Sequence, residues 1–146
     1  MGCCGGNNVT TLPQELTTAI FLPESVTNIA IRSFNYMSGL KTISLPGLRY
    51  LGPEVFYRSA IEGDVALPRL EVLDVMAFSG CESLTSISMP ELVSIVGKRY
   101  NNGFANCLAL TNIVLGAGVV DIGEYAFADL ANVQRLEPRS FPNLTT

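Results

Sequence analysis

The sequence of 146 residues contains no histidine and no tryptophan, and only 15% of its residues are charged. The absence of histidine removes the most common general base and the most common metal ligand. No nucleophile beside a base, no glycine-rich phosphate loop and no zinc-type spacing stands out. We therefore predict a protein that is not an enzyme and has no catalytic, cofactor-binding or metal-binding residues and no cofactor.

Basic residues are also scarce, with 9 Lys and Arg against 13 Asp and Glu and a net charge of −4. Because phosphate binding requires a basic surface, this balance argues against nucleic acid as a partner. No apolar run approaches the roughly 18 residues of a membrane-spanning helix, so we expect no membrane span.

The N-terminal stretch has neither Lys nor Arg and no long apolar run, so we expect it not to act as a secretory signal. Its composition is rich in Gly, Asn and Cys. We predict a flexible leader over residues 1–11 and a single domain over residues 12–146. The residues themselves leave the localisation open.

The chain repeats a unit that is marked by a phenylalanine. The marking residues are Phe34, Phe56, Phe78, Phe104 and Phe127, which stand 22, 22, 26 and 23 residues apart. Other apolar residues recur at the same intervals, and we call each set of equivalent positions in successive units a column. A unit of this length cannot bury its own apolar face, whereas stacked copies can. We therefore predict that the phenylalanines form an internal ladder of rings.

Each unit combines two apolar pieces with a phenylalanine corner, as in Phe78–Pro90 and the residues around it. Leu84–Pro90 separates apolar residues by small polar ones, which predicts a short strand with one buried face. The second piece, Leu92–Ile95 in this unit, is expected to be a short strand or an extended turn. Ala77–Cys81 fits one helical turn. In the column six residues after each phenylalanine, Glu62 replaces an apolar residue.

These patterns predict a repeat solenoid of the leucine-rich-repeat type, with a parallel β-sheet of short strands, helical turns and about five repeats of 22–26 residues. The units resemble the BspA-like leucine-rich repeats, a family of bacterial and protozoan surface and secreted proteins. The resemblance covers residues 17–142 and is closest at Phe78–Pro90 and Ile122–Phe127. It implies binding to proteins or host surfaces, often within larger adhesins, a secreted or surface-exposed location, and no catalytic residues.

Two surfaces are candidate sites for a protein partner. The first is the open face of the strands, which is either a contact surface or a solvated face. Its residues are Thr42, Ser44, Asp64, Ser86, Ser88, Asn112 and Arg135. The second is a stretch of extra residues in the long fourth unit. This stretch is either a binding loop or a tolerated bulge. Its residues are Lys98, Arg99, Tyr100, Asn101 and Asn102.

Incomplete units flank the full repeats, and their strands would leave unpaired edges. The edge residues are Ile20 and Leu22 on one side and Leu136 and Phe141 on the other. Such edges invite pairing with another chain. The alternative function is therefore a structural subunit, part of a filament, appendage or virion, that assembles end to end.

The cysteines are too few and too unevenly spaced for a disulfide-stapled scaffold. Cys81 and Cys107 nevertheless occupy the same column of consecutive units, three residues after the phenylalanine. Stacking would bring them within reach of each other. They are interpreted either as a cross-link or as two buried thiols that act as small apolar residues.

Overall fold

The computed structural model describes residues 13–98, 103–128, 130–137 and 142, so the predicted leader lies outside it. In this part of the chain there are short strands and no helix, and hence no helix that could cross a membrane. The strands are β1 (Ala19–Phe21), β2 (Asn28–Ile29), β3 (Thr42–Ser44), β4 (Tyr50–Leu51), β5 (Glu62–Ala66), β6 (Val72–Leu73), β7 (Ser83–Met89), β8 (Ser94–Ile95), β9 (Asn112–Leu115), β10 (Asp121–Ile122) and β11 (Arg135–Glu137).

The strands form parallel ladders along the stack of coils. The even-numbered strands make a five-stranded sheet in the order β2-β4-β6-β8-β10. The odd-numbered strands make a two-stranded sheet, β1-β3, and a four-stranded sheet, β5-β7-β9-β11. All of these pairs are parallel. The predicted parallel solenoid is confirmed, and the second apolar piece of each unit is a two-residue strand.

The predicted phenylalanine ladder is confirmed as the centre of one continuous core. Successive rings stack with centroids 5.4–6.2 Å apart and planes inclined by 5–23°. Phe34, Phe56, Phe78 and Phe104 are buried, and Phe127 is half-buried. Each stacked pair adds about 1 kcal/mol to what burial of the rings alone contributes. The ladder therefore holds each coil to the next.

The phenylalanines lie on turns and not on the helical turn that was expected for Ala77–Cys81. Around each phenylalanine, the described residues two positions before and two positions after have left-handed φ angles of 53–79°. An α-helix requires negative φ throughout, so these residues exclude one. The N–H groups instead alternate in direction. That of Phe78 donates to Gly103 O in the next coil (3.0 Å), and that of Ser79 donates to Met76 O within the turn (3.2 Å). The turns thus form a third ladder of hydrogen bonds.

In the second coil the buried position is not the one that was assigned to Glu62. Ile61 fills the buried position and Glu62 is exposed, because an unpaired carboxylate is costly to bury. Gly63 absorbs the displacement with a left-handed φ of 73°, and the register of β5 against β7 shifts between Gly63 and Asp64.

The same displacement divides the odd-numbered strands into two sheets, since β3 and β5 share no ladder. Two local bonds span the division. The N–H of Glu62 donates to Lys41 O (3.1 Å), and Lys41 Nζ pairs with the Glu62 carboxylate (2.9 Å). We call this division between β3 and β5 the strand break.

We expect Gly80→Ala to lower the free energy of unfolding by about 3 kcal/mol, because it combines a left-handed backbone with steric overlap. A Cβ at Gly80 would lie 2.8 Å from Arg58 Cγ and 3.3 Å from Arg58 Cα. The matched control is Gly63→Ala, where φ is also left-handed but no atom lies within 4 Å of the added Cβ. Urea unfolding should show a loss of only about 1 kcal/mol for the control. Equal losses would contradict the close approach of Arg58.

Candidate functional site

The outward side chains of the four-stranded sheet lie in two straight rows, which together we call the polar face. The first row contains Asp64, Ser86, Asn112 and Arg135, and the second contains Ala66, Ser88, Val114 and Glu137. Neighbouring strands in a sheet lie about 4.8 Å apart, so each row is a regular line of side chains. The structure therefore brings together five of the seven predicted strand-face residues.

The polar face is partly ordered by its own hydrogen bonds. Thr85 Oγ1 donates to Asp64 Oδ1 (2.9 Å), and Asn112 Nδ2 donates to Ser86 Oγ (3.1 Å). Asn112 Oδ1 is covered by its neighbours and has no hydrogen-bond partner among the described residues. A buried acceptor without a partner costs about 1–3 kcal/mol. The middle of the first row is therefore not optimised for stability.

Thr42 and Ser44 are not part of these rows. They lie on β3, beyond the strand break, in register with Ala19 and Phe21 of β1. Thr42 is exposed and Ser44 is half-buried. The one-residue displacement in the second coil, which the sequence columns showed only as a glutamate in an apolar column, separates them from the polar face.

The predicted binding loop lies mostly outside the described residues. Lys98 is described and exposed. It follows β8, a strand of the even-numbered sheet, and so does not share a sheet with the polar face. Arg99, Tyr100, Asn101 and Asn102 lie outside the described part of the chain.

The predicted edge residues are placed differently from one another. Ile20 is buried in the core at 7% exposure, Leu22 is half-buried and Leu136 is 37% exposed, whereas Phe141 lies outside the described residues. The most exposed apolar side chain of the edge strands is Phe21, at 69%. Among the described strands, β1 pairs only with β3 and β11 only with β9.

The column that contains the two cysteines supplies hydrogen-bond donors to the phenylalanine turns. Cys81 Sγ donates to Phe56 O (3.2 Å) and Cys107 Sγ donates to Phe78 O (3.2 Å). In the preceding coil Ser59 Oγ makes the equivalent bond to a phenylalanine carbonyl (2.8 Å). The cysteines are free and buried, which confirms the interpretation as two thiols. Their role as donors was not predicted, although a serine in the same column was a signal for it.

Burial also determines the protonation of these thiols. It raises the pKa of the Cys107 thiol from 9.0 to about 12. Burial raises the pKa of the Cys81 thiol well above 9.0, and the nearby Cys107 raises it further. Both thiols therefore stay protonated near neutral pH, which keeps them as donors and makes them poor nucleophiles.

A groove of about 640 Å³, which we call the turn groove, crosses successive coils where the turns lead into the odd-numbered strands. Its lining includes Ser38, Arg58, Gly80, Glu82, Ser83 and Asn106. Gly80 stands two residues after its phenylalanine, where the adjacent coils carry Arg58 and Asn106. A Cβ at Gly80 would lie 2.8 Å from Arg58 Cγ, so the glycine leaves room for the Arg58 side chain at the groove. Sequence reasoning did not identify this site, although a glycine in a column of larger residues was a signal for it.

Arg58, which lines the turn groove, packs against a neighbouring aromatic ring. Its Cζ lies 5.4 Å from the centroid of the Tyr57 ring. Tyr57 in turn meets Tyr36 edge to face, with centroids 5.4 Å apart. A guanidinium over an aromatic ring is favoured by the charge distribution of the ring, so the side chain is oriented before any ligand arrives.

Short parallel strands, tight turns and a continuous apolar column that recurs once per coil define a parallel β-solenoid, an architecture consistent with leucine-rich repeats. A family model described as BspA type leucine rich repeat region matches the chain in six copies, over residues 13–134 and 97–144. The chain belongs to the BspA-type leucine-rich repeat family. Comparison with curated proteins and with solved structures gives no match.

We expect the buried thiols to make stability fall at alkaline pH. The pKa of the Cys107 thiol is raised to about 12 in the folded chain, so its contribution is complete below its unfolded pKa. That contribution is lost as the pH rises through the folded pKa, by at most about 1.4 kcal/mol per pH unit for each thiol. Urea unfolding from pH 7 to 11 measures the slope.

The matched control is the double variant Cys81→Ser, Cys107→Ser, which keeps the donors in the manner of Ser59. We expect it to remain folded and to show a shallower alkaline decline. Part of the decline should remain, because burial and the hydrogen bond to Asp74 raise the pKa of Tyr50 to about 12. Identical slopes for the wild type and the double variant would contradict the assignment.

Proposed function

We propose that this protein is a non-catalytic interaction scaffold that binds a protein partner through the polar face. Family membership supports the general class, since leucine-rich-repeat solenoids present extended surfaces for binding. The observation that carries the proposal is the regular double row of outward side chains across β5, β7, β9 and β11. Hydrogen bonds along the rows fix several of these side chains before a partner arrives, which lowers the entropic cost of binding.

The unpaired acceptor of Asn112 supports the same function. Proteins depart from optimal stability mainly at functional sites, where a stabilising substitution often costs activity. Valine would suit this half-buried strand position better than asparagine, as Val114 in the same strand illustrates. The asparagine therefore favours a role in recognition over a role in folding.

The loop at Lys98 belongs to the same proposal as a second point of contact. Lys98 is exposed and has no ion pair within the described residues. Lys98 follows a strand of the even-numbered sheet, whereas the double row of side chains lies on odd-numbered strands. The polar face is therefore the primary surface.

We expect Asn112→Val to raise the free energy of unfolding by about 1 kcal/mol and to weaken partner binding at least about tenfold. A photo-crosslinking residue at Ser88 would capture the partner in the source cells for identification by mass spectrometry. Titration of the purified partner then gives the affinity of each variant. The control is Val93→Lys, a change at an exposed residue beside the even-numbered sheet. A partner that loses affinity with the control and not with Asn112→Val would contradict the polar face.

A second candidate function is end-to-end self-association. The exposed Phe21 ring on β1 favours it, together with an apolar cavity of about 150 Å³ at the last coil. Leu130, Val133 and Leu136 contribute to the lining of that cavity. Because every strand runs parallel, β11 of one copy could pair with β1 of the next and continue the same ladder.

The change that tests self-association is Phe21→Lys, which adds charge to the edge strand without entering the core. Sedimentation velocity over a range of concentrations should show association of the wild type and its loss in the variant. Ile20→Lys is not suitable, because Ile20 is buried and its replacement would disturb folding. A wild type that stays monomeric at the highest concentration would exclude this second function.

A further inference from the structure

Ion pairs between neighbouring coils follow a simple rule in this solenoid. Arg32 pairs with Glu54 (2.8 Å), 22 residues later in the next coil. Arg49 pairs with Glu71 at the same separation. Lys41 pairs with Glu62 across the strand break, 21 residues later. In each of these three pairs, a cation on one coil is neutralised by a carboxylate on the coil that follows it.

Arg58 forms no pair of this kind within the described residues. The residue 22 positions later is Gly80, which has no side chain. Arg58 is exposed, stacks on Tyr57 and forms no ion pair within the described residues. Its guanidinium therefore stands at the turn groove without the carboxylate that Arg32 and Arg49 have.

Glu82 stands in the same groove and is also unpaired. Its side chain makes no ion pair within the part of the chain that is described, and the residue 22 positions before it is Ala60. Glu82 is exposed and forms no ion pair with Arg58. Two opposite charges thus line one groove, and neither is neutralised by the other or by another described residue.

We propose that the turn groove is a docking site for an extended segment of a partner protein that carries one acidic and one basic side chain. The acidic side chain pairs with Arg58, and the basic side chain pairs with Glu82. Arginine suits this role because its planar guanidinium donates two parallel N–H hydrogen bonds to a carboxylate. Ser83 and Asn106 supply further polar groups for the backbone of the segment. The inference rests on the proposed function only in taking a protein as the partner.

The docking site can be tested with short peptides without knowledge of the partner. The probe is acetyl-Ser-Glu-Ser-Lys-Ser-amide, compared with relatives in which Gln replaces Glu, Lys or both. Titrations followed by amide chemical shifts report where each peptide binds. We expect shifts at Arg58, Gly80, Glu82 and Asn106, and an affinity for the doubly charged peptide about fivefold above that for the neutral one.

Each variant should remove one half of this preference. Arg58→Gln should abolish the preference for Glu, and Glu82→Gln should abolish the preference for Lys. The control is Arg69→Gln, a change at another exposed arginine without an ion pair within the described residues, which should leave both preferences unchanged. Absence of shifts in the groove, or preferences that survive the two groove variants, would overturn the proposal.

The result of the peptide titrations does not depend on whether the polar face binds the partner. Asn112→Val should leave peptide binding unchanged, because Asn112 does not line the turn groove. Peptide binding with no effect of Asn112→Val on the protein partner would reject the polar face and support the groove. The reverse pattern would reject the groove and support the polar face.

Discussion

The solenoid depends on the way each phenylalanine turn is bonded to the turn of the next coil. Alternate N–H groups of a turn donate to carbonyls one coil further on, as Phe34 does to Val55 O (3.0 Å) and Phe56 does to Ala77 O (2.9 Å). This pattern requires left-handed residues on both sides of the phenylalanine, and non-glycine residues there cost about 1–2 kcal/mol each. The stacked rings and the hydrogen bonds offset this cost, so the turns are stable only within the stack.

The same turns explain the chemistry of the residues around them. The carbonyls of Phe56 and Phe78 accept the N–H groups of Ser59 (3.1 Å) and Cys81 (3.0 Å) within their own turns. Ser59, Cys81 and Cys107 add a side-chain donor to a phenylalanine carbonyl from the following coil. A thiol is acceptable in this position because it is small, weakly polar and protonated when buried. The cysteines of the core are thus part of the backbone bonding and not a redox pair.

The strands and the ring ladder could be predicted because they depend on apolar periodicity, which is visible at residues such as Phe78 and Ile87. The left-handed turns could not, since Arg58 and Met76 adopt positive φ only because the neighbouring coils impose it. The polar face was predicted for Asp64, Ser86, Ser88, Asn112 and Arg135. Thr42 and Ser44 were separated from it by a displacement of one residue, and a count along the sequence does not show where the chain absorbs such a change. The turn groove is lined by residues of successive coils, so it is a property of the stack and not of one unit.

The strand break also bears on how repeats of unequal length share one stack. At the break the odd-numbered sheet is divided, yet the turn ladder continues through Phe34 and Val55, and the even-numbered sheet continues through β4 and β6. Two of the three hydrogen-bonded ladders, those of the turns and of the even-numbered strands, are therefore sufficient to keep neighbouring coils in register. The segment between the turn and the odd-numbered strand can lose or gain a residue while the pitch of the stack is preserved. For protein engineering, this segment is the place where a peptide could be inserted into a coil with the least disturbance of the rest.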